Sequence, residues 1–141
     1  MGGLGFLDIL TKEGYYTEEK RNKIIVTAVV DTFLKVKPKL SQAHRVRTVM
    51  QNYYLFKRGA YEIKDGKIHV NIDKVVPAAY EMLSEIIRVQ LDDDFSKGEK
   101  YVLDNFVWTG EMQLIGDKLQ KVNKELNGQL ETELADKLLE S

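Results

Sequence analysis

The sequence contains no cysteine and only two histidines, and these shortages remove several kinds of chemistry at once. Without cysteine there are no disulfides, no thiolate metal sites and no thiol nucleophile, and the composition is compatible with a reducing compartment. His44 and His69 lie far apart along the chain and form no His-Glu-x-x-His motif. Even with a carboxylate such as Glu62 beside them, they are weak evidence for a metal site.

Other catalytic motifs and targeting signals are missing as well. No Gly-x-Ser-x-Gly elbow and no phosphate-binding glycine loop occurs, so local chemistry alone identifies no enzyme. No run approaches the roughly 20 apolar residues of a membrane-spanning helix, and the N-terminal residues lack the features of a secretory signal. A formal net charge of -1 and the absence of a recognition motif argue against nucleic-acid binding. We therefore predict a soluble, cytoplasmic protein that binds neither membranes nor nucleic acid.

Charge is unevenly distributed along the chain despite that small net value. Residues 32–61 contain seven lysines and arginines and no acidic residue, whereas residues 92–141 are rich in carboxylates. The basic stretch is either a surface for an anionic ligand, such as the C-terminal carboxylate of a peptide, or an ordinary solvated helix face.

The spacing of apolar residues predicts a mainly α fold, a single domain of about five to six helices with one β-hairpin at residues 61–72. Residues 24–30 form an apolar run that could alternatively be a strand, but Glu18 and Glu19 in an acidic first turn favour a helix. Helices are predicted over residues 17–36, 42–58 and 73–92, near 101–106, from Thr109 to about residue 126, and over 130–139. In the second of these the predicted buried face is Ala43, Val46, Val49, Met50, Tyr53 and Phe56, bordered by His44, Thr48, Gln51 and Leu55.

The hairpin is the clearest local signal in the sequence. Apolar and polar residues alternate strictly from 61 to 72 around the dipeptide Asp65-Gly66, which favours a two-residue turn. The predicted register pairs Tyr61 with Val70, Glu62 with His69, and Ile63 with Ile68.

His44 is the residue that local chemistry singles out. An imidazole near the N-terminus of a helix has its pKa lowered and stays neutral, so it can donate one hydrogen bond to a developing oxyanion. The alternative is a partly exposed histidine in the first turn of a helix with no further role.

Two segments carry a resemblance to a known family. Residues 41–44 read Ser-Gln-Ala-His, and residues 54–60 read Tyr-Leu-Phe-Lys-Arg-Gly-Ala. With these segments at this distance, the chain resembles the dipeptidyl peptidase III family of zinc metallopeptidases, including its plant and bacterial relatives. The similarity continues through the hairpin, the Ile-Ile-Arg-Val-Gln step at 86–90 and the acidic turn at 92–94, so it covers essentially the whole chain.

The resemblance implies roles for particular residues. His44 corresponds to the family's active-site histidine, which contacts the oxygen of the scissile peptide, and Gln42, Arg45, Arg47 and Thr48 would bind substrate. Family members often have arginine where this chain has Thr48. The family's zinc ligands lie on a His-Glu-x-x-x-His helix and a Glu-Glu-x-x-Ala-Asp/Glu helix that precede the matching part. This chain is therefore expected to hold no cofactor itself, with zinc present in a full-length protein.

We therefore predict the C-terminal fragment of a zinc-dependent peptidase, which forms one wall of the substrate cleft and is inactive on its own. Its expected partners are the upstream zinc-bearing domain of the same protein and a peptide substrate. Exposed apolar surface would also favour self-association of the fragment. The alternative is a stand-alone helical interaction module whose basic second helix binds an acidic protein or peptide.

Overall fold

The computed structural model describes residues 2–34 and 43–126, and in these two ranges the chain forms six α-helices and one β-hairpin. The predicted mainly α fold with a single hairpin is therefore confirmed, while the predicted helix over 130–139 lies outside the described residues. None of the described helices combines the length and the apolar character needed to cross a membrane. The elements in chain order are α1 (Gly2–Lys12), α2 (Glu18–Leu34), α3 (Ala43–Lys57), β1 (Tyr61–Lys64), β2 (Lys67–Val70), α4 (Ile72–Leu91), α5 (Phe95–Asn105) and α6 (Gly110–Glu125).

The β-hairpin forms around a turn in which Asp65 and Gly66 both have positive φ, at 53° and 69°. Two successive positive φ angles are typical of the turn that matches the twist of the flanking strands, and an Asp-Gly pair favours it. Tyr61 and Ile68 are buried in the core, and Glu62 on the opposite face is exposed. The predicted register is confirmed, with Tyr61 opposite Val70, Glu62 opposite His69, and Ile63 opposite Ile68.

The main core lies where α2 meets α6 and the hairpin. Phe33 is fully buried, and its ring centroid lies 5.3 Å from that of Tyr61 and 5.8 Å from that of Trp108. The Tyr61 contact is edge-to-face, a geometry that adds to the stabilisation from burial. At Gly116 a Cβ atom would lie 3.5 Å from the carbonyl oxygen of Phe33, so α6 packs closely against α2.

Helix α2 buries more of its surface than a single apolar stripe predicts. Ile25, Val29 and Phe33 are buried along one line of the helix, and Val26 and Val30 beside that line are buried too. The helix packs against α1, α3, α4 and α6. Because neighbours cover several of its sides, an apolar run that resembles a strand in sequence is accommodated as a central helix.

The buried face of α3 is rotated relative to the predicted one. Ala43 is exposed, and Tyr53 and Phe56 are only half-buried. Helix α3 packs against α2, α4 and α5 together, so its C-terminal half is covered on more than one side. Buried in α3 are Thr48, Val49, Met50, Asn52, Tyr54 and Leu55, of which only Val49 and Met50 belong to the predicted face.

A buried hydrogen-bond network joins α2, α3 and β1. The Asn52 side chain, which has no exposed surface, donates from Nδ2 to Thr32 Oγ1 at 2.8 Å and accepts from the Tyr61 hydroxyl at 2.6 Å. The Thr32 hydroxyl in turn donates to the Val29 carbonyl at 2.6 Å. Burial raises the pKa of Tyr61 well above its usual range, although the hydrogen bond to Asn52 acts in the opposite direction. The network therefore holds three elements together through paired polar groups in an apolar interior.

Several helix boundaries follow from local capping signals. Thr109 caps α6, as predicted, because its Oγ1 accepts from the Met112 amide at 3.2 Å. Asp94 caps α5 by accepting from the Ser96 amide at 2.9 Å. Helix α4 begins at Ile72, one residue before the predicted start, and Pro77 lies in its second turn.

Helix α1 is not predicted by the sequence pattern, since its glycines disfavour a helix. Tertiary contacts stabilise it instead. Leu7 is buried against the main core, and Asp8 forms an ion pair with Arg21 of α2 at 2.7 Å.

Candidate functional site

The candidate site is an open groove of about 460 Å³ between α3 and α4, called here the α3–α4 groove. One wall comes from the N-terminal half of α3 and the other from the middle of α4. Because residues three and four apart share one side of a helix, each wall presents a continuous strip. The groove is lined by Ala43, Val46, Arg47, Met50 and Gln51 from α3 and by Met82, Leu83 and Ile86 from α4.

The floor of the groove belongs to a small buried cluster separate from the main core. Met50, Tyr54 and Met82 form this cluster, with Val46 and Ile86 packed against it at the groove walls. Methionine side chains are flexible and polarisable, so a surface that contains two of them adapts to differently shaped apolar ligands. The groove thus combines an adaptable apolar base with a polar rim formed by Arg47 and Gln51.

A polar cluster behind the floor fixes the spacing of the two walls. Arg58, at the end of α3, forms ion pairs with Glu81 at 2.8 Å and Glu85 at 3.3 Å, both on α4. Arg58 also donates to the Tyr54 hydroxyl at 3.3 Å, and the Tyr101 hydroxyl of α5 donates to Glu85 at 3.1 Å. Each ion pair is partly exposed and contributes little alone. Together these bonds connect three helices at one point.

The tyrosines of this cluster stay protonated over the physiological range. Burial raises the pKa of Tyr54, and the Arg58 and Glu85 bonds have opposite effects on it. Burial also raises the pKa of Tyr101, with the negative charge of Glu85 as the next cause. Both hydroxyls therefore act as hydrogen-bonding groups rather than as bases.

The structure brings only part of the predicted substrate-binding set to the groove. Arg47 is exposed and lines it, whereas Thr48 is buried in the protein interior and Arg45 is half-buried outside the groove lining. The backbone of His44 lies in the first turn of α3, one residue after Ala43, while Gln42 lies outside the described residues. Thr48 is therefore turned inward, away from the groove.

Sequence reasoning missed the α4 wall of the site. Leu83 and Ile86 fit the helical spacing of a core-facing stripe, yet Leu83 is 39% exposed beside the groove. The sequence does contain an indication of this wall. The adjacent apolar pairs Met82-Leu83 and Ile86-Ile87 make the apolar side of α4 wider than burial against a single core requires.

A second groove, of about 530 Å³, lies beside the hairpin and includes both Glu62 and His69. These residues face each other across the two strands, as the sequence predicts, and Lys74 lies beside them. Among residues 2–34 and 43–126, no group of three or more His, Asp or Glu side chains is placed to hold a metal ion. The described residues of the hairpin groove therefore do not supply the three or more donors of a protein metal centre.

Comparison with known proteins adds no assignment: the chain matches no protein-family model, no curated protein and no solved structure.

Proposed function

We propose that the α3–α4 groove binds a peptide segment, and that the chain is the C-terminal helical part of a zinc-dependent peptidase like those of the dipeptidyl peptidase III family, acting in the cytoplasm. One observation carries the proposal. The groove begins at Ala43 and follows α3, the helix whose first turn contains His44. The segment that resembles the family's active site therefore adjoins an apolar surface wide enough for a peptide side chain.

In this proposal His44 is a neutral hydrogen-bond donor to the oxyanion that develops on the scissile carbonyl. A histidine in the first turn of a helix is kept neutral by the positive end of the helix dipole, which suits that role. The α3–α4 groove binds an apolar side chain of the peptide, and Arg47 on its rim attracts a carboxylate. The described residues do not fit a zinc site, so the metal would be held by upstream helices of the same protein.

The proposal predicts two results for the chain as it stands. The isolated protein, supplied with zinc, should show no turnover of short peptide substrates, because it lacks a metal site among its described residues. The coding sequence read in frame upstream of Met1 should encode a His-Glu-x-x-x-His segment followed by Glu-Glu-x-x-Ala-Asp/Glu. Zinc-dependent turnover by the isolated chain, or a stop codon directly upstream, would contradict the proposal.

The second candidate is a stand-alone module that binds an acidic, amphipathic peptide or protein. It is favoured by the charge of α3, which contains no aspartate or glutamate and places Arg47 on the groove rim. An apolar groove between two helices is a common receptor for the apolar face of a third helix. An acidic flank on that third helix would lie against Arg47, and Arg45 would add to the attraction at longer range.

Binding of a labelled peptide tests the second candidate. The probe is a helical peptide of leucine and glutamate, about 15 residues long so that it spans four turns, and its control replaces each glutamate with lysine. Under the interaction-module hypothesis, Arg45→Glu combined with Arg47→Glu weakens binding of the acidic probe by roughly tenfold or more at low salt. His44→Ala leaves the affinity unchanged.

A matched control for the charge reversal is Lys121→Glu combined with Lys124→Glu, which makes the same change of charge on the exposed face of α6. Equal losses from the α3 and α6 pairs would indicate a general effect of net charge and would contradict binding at the groove. Fluorescence anisotropy at two salt concentrations measures the affinity of the probe for the wild type, the His44→Ala variant and the two charge-reversed variants. An affinity that neither double substitution nor salt changes would also exclude the interaction-module hypothesis.

A further inference from the structure

The outward side of α4 carries an apolar stripe distinct from the α3–α4 groove. Tyr80, Ser84, Ile87 and Leu91 recur at four- and three-residue steps and so lie along one line of the helix. Tyr80, Ile87 and Leu91 are 49%, 46% and 79% exposed, although a helix of a monomer normally turns such a line inward. These four residues are called here the α4 stripe.

Charge on the flank of the α4 stripe is arranged in a self-complementary way. Glu81 follows Tyr80 and Arg88 follows Ile87, so both lie on the same side of the stripe, seven residues apart. When two copies of a helix pack antiparallel about a two-fold axis, the same flanks of the two helices face each other. Glu81 of one copy then lies opposite the partner's Arg88, and the pair occurs twice.

The apolar positions agree with the same arrangement. The register that pairs Glu81 with the partner's Arg88 also places Tyr80 beside the partner's Leu91 and Ser84 beside the partner's Ile87. Tyr80 thus packs against the partner's Leu91 at each end of the interface. Near the two-fold axis, the small Ser84 leaves room for the partner's Ile87. Parallel packing would instead oppose different flanks, and Glu81 and Arg88 would face Val76 and Leu83, which are uncharged.

We infer that the α4 stripe is the contact surface of an antiparallel homodimer, with a second copy of this chain as its occupant. The stripe is about three turns long, and specific interfaces bury roughly 1,200–2,000 Å² in total, so this dimer stands at the small end of the range. A reversible association in the micromolar range is expected. The inference does not depend on peptide binding or on zinc.

Sedimentation velocity over a series of protein concentrations tests the surface. The wild-type chain is expected to dimerise reversibly, and Ile87→Glu is expected to raise the dimer dissociation constant by roughly tenfold or more. Leu114→Glu on α6 is the matched control, because Leu114 is 60% exposed and also apolar but lies on another helix. Both residues are on the surface, so both variants should keep the circular dichroism spectrum of the wild type.

Charge exchange tests the orientation of the two copies. Arg88→Glu alone places a carboxylate opposite the partner's Glu81 at both ends of the interface. It should raise the dimer dissociation constant by roughly tenfold at low salt. Adding Glu81→Lys in the same chain should restore most of that loss, even though Glu81 also pairs with Arg58 within the chain. The control, Lys121→Glu, makes the same change of charge on α6 and should leave the dimer unchanged.

Three results would overturn the inference. A wild-type chain that stays monomeric at its highest soluble concentration would assign the stripe to an occupant other than a second copy. A dimer that tolerates Ile87→Glu would place the contact on another surface. A dimer that Ile87→Glu weakens but that Arg88→Glu leaves unchanged at low salt would exclude the antiparallel arrangement.

Discussion

Replacing Asn52 with alanine is expected to lower the free energy of unfolding by about 2–4 kcal/mol, because it leaves both a cavity and buried polar groups without partners. The side chain has no exposed surface and pairs with Thr32 at 2.8 Å and with Tyr61 at 2.6 Å. After the substitution the Tyr61 hydroxyl loses its acceptor in a region that water does not reach. Urea unfolding, followed by the fluorescence of the single tryptophan Trp108, measures the change.

A second asparagine provides the matched control for this prediction. Asn105 is also buried, but its side-chain oxygen accepts from Lys57 Nζ, and an ammonium group at the end of an exposed lysine can return to water. Asn105→Ala should therefore lower the free energy of unfolding by about 1 kcal/mol.

A double-mutant cycle tests whether the network acts as a unit. Tyr61→Phe removes only the hydroxyl, and its effect combined with Asn52→Ala should be smaller than the sum of the two single effects. Simple additivity in this cycle, or equal losses for Asn52→Ala and Asn105→Ala, would mean that the network contributes less than its geometry indicates.

Replacing His44 with alanine should reduce peptide turnover by roughly 10²- to 10³-fold in the full-length peptidase that we propose, which is the usual loss when one oxyanion donor is removed. The turnover number should fall while the zinc content stays at the wild-type level, because His44 is proposed as a donor and not as a metal ligand. Steady-state kinetics together with elemental analysis of the purified protein measures both quantities.

His69 is the natural control, because it is the only other histidine in the chain and lies exposed on β2. His69→Ala should leave turnover unchanged. A loss of zinc in the His44 variant would reassign that residue as a metal ligand. Unchanged turnover would remove it from the active site.

The parts of the fold that the sequence predicts well are those with local causes. The hairpin register follows from strict alternation and from the Asp65-Gly66 turn, whose positive φ angles few other residue pairs adopt readily. The start of α6 follows from Thr109, whose side chain pairs with an amide three residues later. In both cases the determining contacts lie within a few residues of one another.

The parts that the sequence predicts poorly depend on contacts between distant elements. Apolar spacing assigns one face to a helix, whereas α2 and α3 are each covered from several directions, which accounts for the unexpected burial of Val26, Val30 and Asn52. The site shows the same limit. Its α3 wall includes Arg47, which sequence analysis singles out, but its α4 wall is known only once Leu83 and Ile86 are seen beside Met50.

The position of α6 has a consequence for the order in which the protein folds. Its residues Met112, Ile115 and Leu119 complete the core around Phe33, and Gln120 donates to the Leu34 carbonyl, 86 residues away in sequence, at 3.3 Å. Lys118 also reaches the Gly66 carbonyl at the tip of the hairpin, at 3.2 Å. Such distant contacts require large loops to close before they stabilise anything. During synthesis α6 must therefore emerge from the ribosome before the main core can close. Until then α2 and the hairpin expose apolar surface that chaperones can bind.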